Sequence, residues 1–151
     1  MPQYLSNELA GTTTGLTQAS AVAAGYRPAA SVYGARLKRL RATVNLAAQT
    51  TSDTLLLGNL PAGATFAFGV LNSTVSLGSS TLAIGITGTT GKYRAAAAVT
   101  TTDVPQLFGT AATVGAASPL SAEEQVIVTI GTASLPASGT LVVDLYFSHA
   151  N

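Results

Sequence analysis

A chain of 151 residues with no Cys and one His is long enough to bury a core unaided. It excludes a disulfide framework, a Cys-rich zinc site and a cysteine nucleophile. Only 9% of its residues are charged, against about 25% in an ordinary soluble domain, so Thr, Ser, Gly and Ala must cover much of the surface. A net charge of +1 gives no global attraction to an acidic partner, but a weakly charged surface tolerates contact with other protein because few ions must be desolvated.

Residues 1–34 contain only Glu8 and Arg27 as charges, and Leu5, Leu9, Leu16, Val22 and Val32 follow neither a helical nor a strand period. This composition predicts an extended N-terminal arm ordered by a neighbour, with one helical turn over residues 17–24 closed by Gly25. The first ten residues hold no Lys or Arg, and no run approaches the roughly 20 apolar residues of a membrane span. The expectation is a soluble chain made in the cytoplasm, with no membrane partner.

From residue 35 to 151 the pattern becomes short β-rich runs separated by Gly, Pro, Asn and Ser, which predicts one all-β domain, an antiparallel β-sandwich. Leu40, Ala42, Val44 and Leu46 alternate with Arg39, Arg41, Thr43 and Asn45, so a strand there buries the first set and exposes the second. Residues 54–57 form a second run. Phe66, Phe68 and Val70 are expected to share a face, and residues 73–77 to form a separate strand. Leu82, Ile84 and Ile86, residues 93–99, then Val126, Val128 and Ile130, and finally Leu141, Val143, Leu145 and Phe147 complete about eight strands, a number suited to two packed sheets. The turns Leu60-Pro61-Ala62-Gly63 and Leu135-Pro136-Ala137-Ser138-Gly139 echo each other: each sets φ with Pro, provides Gly for positive φ, and launches an apolar strand.

Catalysis needs a base, nucleophile or ligand held by a second polar group, and the sequence provides little of this. His149 stands at the C-terminal end, where fraying is the default. Glu123 and Glu124 read as a Ser-x-x-Glu cap or solvated loop after Leu120-Ser121-Ala122. Asp53 reads as a turn residue, and Asp144 as an outward charge guarding an edge strand. The run Gly85-Ile86-Thr87-Gly88-Thr89-Thr90-Gly91-Lys92-Tyr93 lacks phosphate-loop spacing, since Ile86 and Tyr93 stand where Gly and Ser or Thr are required; it reads as a glycine-rich hairpin. No catalytic residue, metal site, cofactor or small-molecule substrate is expected.

The basic residues Arg27, Arg36, Lys38, Arg39 and Arg41 fall close together. Three readings stay open: salt-bridging to an acidic patch on a protein partner, a solvated strand edge, and nucleic-acid binding. The last is the least favoured, because exposed aromatics do not interleave with the cations beyond Tyr26 and Tyr33. Arg36, Lys38, Arg39 and Arg41 are the candidate partner-contact residues.

The runs Thr54-Leu55-Leu56-Leu57-Gly58-Asn59-Leu60-Pro61-Ala62-Gly63-Ala64, Ser79-Ser80-Thr81-Leu82-Ala83-Ile84-Gly85, Gly91-Lys92-Tyr93-Arg94-Ala95-Ala96 and Leu135-Pro136-Ala137-Ser138-Gly139-Thr140-Leu141-Val142-Val143 occur in an order that resembles small virion proteins of tailed bacteriophages. The resemblance spans residues 36–148 and is to the jelly-roll-like β-sandwich of capsid decoration, or cement, proteins. It implies a non-enzymatic virion structural protein on the outer capsid surface, forming a homo-oligomer, with a trimer favoured, and bound to the major capsid protein so as to stabilise the head. The alternative is a phage tail or fibre-associated β-domain used in attachment. A carbohydrate-binding module or enzyme of jelly-roll type is a further rival, disfavoured by the absence of Trp and the scatter of carboxylates.

Overall fold

Pairing in the structure, a computed structural model that describes residues 36–113 and 119–149, follows one nested scheme. β1 (Leu37–Asn45) pairs antiparallel with β8 (Thr140–His149), β2 (Thr54–Leu60) with β7 (Glu124–Gly131), β3 (Ala64–Ser73) with β6 (Gln106–Phe108), and β4 (Thr81–Ile86) with β5 (Thr89–Ala98). The first four strands thus ladder against the last four like the two legs of one long hairpin. Rolling that hairpin brings β3 beside β8 and β4 beside β7. The result is two four-stranded sheets, ordered β1-β8-β3-β6 (sheet A) and β2-β7-β4-β5 (sheet B). This is the all-β, jelly-roll-like sandwich expected from the sequence. The expected arm over residues 1–34 and its helical turn over 17–24 lie outside the described residues.

Alternation decides what each strand buries. Leu141, Val143 and Leu145 of β8 are fully buried, as are Val126 and Val128 of β7 and Leu82 and Ile84 of β4. Leu40, Ala42 and Val44 of β1 pack against this core from one side, as expected. Each such aliphatic side chain is worth about 1.5–3 kcal/mol when fully withdrawn from water. Phe66 and Tyr93 bridge the two sheets in the core, with ring centroids 4.6 Å apart.

The two echoing turns do the same job. Each crosses from sheet B to sheet A, β2 to β3 and β7 to β8, with Leu60 and Leu135 buried at the corner. Gly63 (φ 78°) and Gly139 (φ 120°) supply the left-handed backbone that turns the chain.

Two expectations about the strands are corrected. Phe66, Phe68 and Val70 do not share a face: the register of β3 against β8 slips between Phe66 and Phe68, so Phe66 points inward while Phe68 and Val70 point outward. One extra residue, Ala67, inverts the parity of all that follows. Residues 73–77 are not a strand. The Ser73 hydroxyl donates to the Val75 carbonyl at 2.7 Å and accepts from the Val75 amide at 3.4 Å, closing a local turn that ends β3. The eighth strand is instead the three-residue β6, whose Phe108 ring lies over Gly69; a Cβ there would stand 2.0 Å from Phe108 Cζ.

Candidate functional site

The outward face of sheet A gathers the features not consumed by the core. Register places its side chains in rows across the strands. One row runs Arg39 (β1), Tyr146 (β8), Phe68 (β3). The next runs Arg41, Asp144, Val70, Leu107, the last on β6. The rings of Phe68 and Tyr146 stack at 4.7 Å with 20° between their planes, an arrangement favoured by aromatic quadrupoles. Beside them Phe68, Leu107, Phe108 and Gly109 line a shallow apolar depression. Leu107 is 74% exposed, and Leu37, at the β1 end of the face, is 54% exposed.

Of the four candidate contact residues, Arg39 and Arg41 lie on this face, and Lys38 falls on the opposite parity, paired with inward-facing Phe147. Arg36 is exposed just before β1. Arg41 is engaged within the chain: its Nε and Nη2 donate to Asp144 Oδ1 and Oδ2, both at 2.7 Å. The guanidinium's hydrogen bond holds the Asp144 carboxyl below its usual range; burial opposes this, and the charges of Arg41 and Arg39 add to it. Asp144 does point outward, but it does not guard an edge. β8 is a central strand of sheet A, and the ion pair ties it to the true edge, β1.

The other titratable residues are structural in geometry. Asp53 accepts from the Thr50 amide at 2.7 Å and the Thr50 hydroxyl at 2.9 Å, closing a turn as expected, and these bonds lower its pKa. Glu123 accepts from Asn59 Nδ2 at 2.7 Å. Glu124 is not a loop residue: it opens β7, forms an ion pair with Lys92, and accepts from the Tyr93 hydroxyl at 2.5 Å. Burial, then the bond to Glu124, push the Tyr93 phenol far up. The glycine-rich run is the β4–β5 hairpin, turning at Thr87-Gly88, and its Lys92 is committed to Glu124. His149 lies within β8 opposite Ala64, its Nε2–H donating to the Ala62 carbonyl at 3.0 Å rather than fraying. Among the described residues no group of three or more His, Asp or Glu could hold a metal ion.

Sequence reasoning missed the aromatic centre of this face because it assigned Phe68 to the core. Tyr146 was legible: it alternates with the buried Leu145 and Phe147 and is outward by parity.

No known protein family and no curated protein matches the sequence. Among solved structures the chain is similar to one in the cyanophage Pam1 capsid asymmetric unit, with a TM-score of 0.61 and 22% identity over 78% of this chain and 88% of that one. It is also similar to a chain in the capsid of Ralstonia phage GP4, with a TM-score of 0.56 and 20% identity over 78% of this chain and 85% of that one. At these identities the likeness is one of fold, and it covers most of both capsid chains.

Proposed function

We propose that the chain is a non-catalytic virion structural protein that attaches to the outside of a phage capsid and stabilises the head. The observation that carries this reading is the fold shared with chains of two phage capsids, over 88% and 85% of those chains. The low charge content supports it, because a surface poor in ions loses little solvation when covered by protein. The partner is the major capsid protein, and the attached form is a homo-oligomer, with three copies around a local threefold axis. Synthesis in the host cytoplasm precedes attachment. Residues 1–34 contribute to attachment more than to folding of the body, since their apolar residues have no periodic face to give a sheet.

A protein that binds only the mature shell stabilises it by mass action, and one that bridges several subunits gains further from effective concentration. Heads lacking the protein should therefore release DNA at lower temperature than complete heads, and adding the purified chain back should restore them. Equal robustness of depleted and complete heads overturns the stabilising role. Immunogold labelling confined to the tail would favour attachment through a fibre-associated domain instead.

A further inference from the structure

We infer that the outward face of sheet A is the surface that meets the partner, and that it fits a protein patch presenting an apolar side chain flanked by carboxylates. The inference rests on the capsid reading above and names the chemistry of the contact.

The geometry gives the two halves of that chemistry. The apolar half is the stacked Phe68–Tyr146 pair and the adjoining depression bounded by Leu107 and Phe108. Among the described residues, large apolar side chains exposed beyond half are Leu37, Leu56, Val104 and Leu107, and both Leu37 and Leu107 stand on this face. Rigid aromatics around a pocket, rimmed by Arg, make up the composition that dominates protein–protein binding energy.

The ionic half follows from subtraction. Asp144 is the carboxylate on the strands of this face, and Arg41 already neutralises it through two hydrogen bonds. Arg39, one row away, remains as an exposed cation on this face. A complementary surface therefore carries Asp or Glu opposite the β1 edge. A second copy docked through the same face would offer Arg39 no free carboxylate from the described strands of that face, which costs rather than gains. One uncompensated cation also makes a poor track for nucleic acid, which is bound by many phosphate contacts.

The test uses the full chain and shells assembled from the virion's own major capsid protein without it, with binding read by co-sedimentation. Leu107→Asp and Arg39→Glu should each weaken binding about tenfold or more, a change of about 1.4 kcal/mol. The Arg39→Glu defect should shrink as salt rises. Leu56→Asp, on the outward side of sheet B, should bind like wild type. If Leu56→Asp releases the chain and Leu107→Asp does not, the face is wrong while the capsid reading stands. If wild type fails to bind shells at all, the capsid reading itself fails. Three other outcomes overturn the inference: Leu107→Asp turning an oligomer into monomers, which assigns the face to a second copy; Leu107→Asp lowering the melting temperature without affecting shell binding, which assigns it to the chain's own N-terminal segment; and salt-sensitive binding to duplex DNA abolished by Arg39→Glu.

Discussion

Arg41 and Asp144, 103 residues apart in the chain, are joined by two parallel hydrogen bonds across the β1–β8 ladder, the carboxylate almost wholly buried and the guanidinium half exposed. The pairing lowers the pKa of Asp144 in the folded state. Its stabilisation is therefore complete above the ordinary carboxyl pKa of about 3.9 and is lost as pH falls through the lower folded value. Replacing Arg41 by Met leaves a buried carboxylate without its cation. The stability gap between wild type and Arg41→Met should be widest near neutrality and narrow on acidification, as measured by urea unfolding over a range of pH. A gap independent of pH would mean that the pair contributes nothing through charge.

At Gly69 the Phe108 ring fills the space that a side chain would need. Gly69→Ala should cost about 1–3 kcal/mol, because the Phe108 ring must leave its place over β3. The double variant with Phe108→Ala should lose less than the sum of the two single losses, since the clash is gone. Strict additivity by urea unfolding would show that the ring is not held there.

Tyr93 ought to be silent to base. With its phenol buried and donating to Glu124, the folded state favours the neutral form. The associated stability is present below the ordinary tyrosine pKa of about 10 and declines as pH rises beyond it. Ultraviolet titration should show this ring ionising only with unfolding. Tyr93→Phe should cost about 1–2 kcal/mol, the loss of a hydrogen bond to a carboxylate.

Thr132 follows β7 with φ at 69°, a left-handed conformation that a β-branched residue adopts only under strain. The amide of Ala133 donates to the Gly131 carbonyl at 2.8 Å and holds the turn. Thr132→Gly should raise stability by about 1 kcal/mol, the relieved strain outweighing the added freedom of the unfolded chain and the lost contact with Thr81. A lower melting temperature would show that the Thr81 contact matters more.

What the sequence made legible depended on regular alternation. β1 and β7 keep period two throughout, and the large apolar residues of β4 and β8 recur at every second position, so these inward faces were readable. The bulge at Ala67 has no local marker, and it moved Phe68 and Val70 from the expected core to the surface that now forms the candidate site. β6 has three residues, too few to show any period. The outward parity of Asp144 was readable, but the centrality of β8 was not, because strand order in a sheet depends on pairings formed across the whole chain. The same holds for Lys92 and Glu124, 32 residues apart and joined only by the β4–β7 and β4–β5 ladders.

The nested ladder also orders events during synthesis. β4 and β5, joined by the Thr87-Gly88 turn, can pair as soon as both have left the ribosome, whereas among the described strands β1 is made first and its partner β8 last. Throughout that interval β1 offers Leu40, Ala42 and Val44 along an unpaired backbone, the kind of edge that recruits other nascent chains. Lys38, Arg39 and Arg41 on the same strand make one waiting β1 repel another. The basic stretch thus places like charges along the described strand that waits longest for its partner.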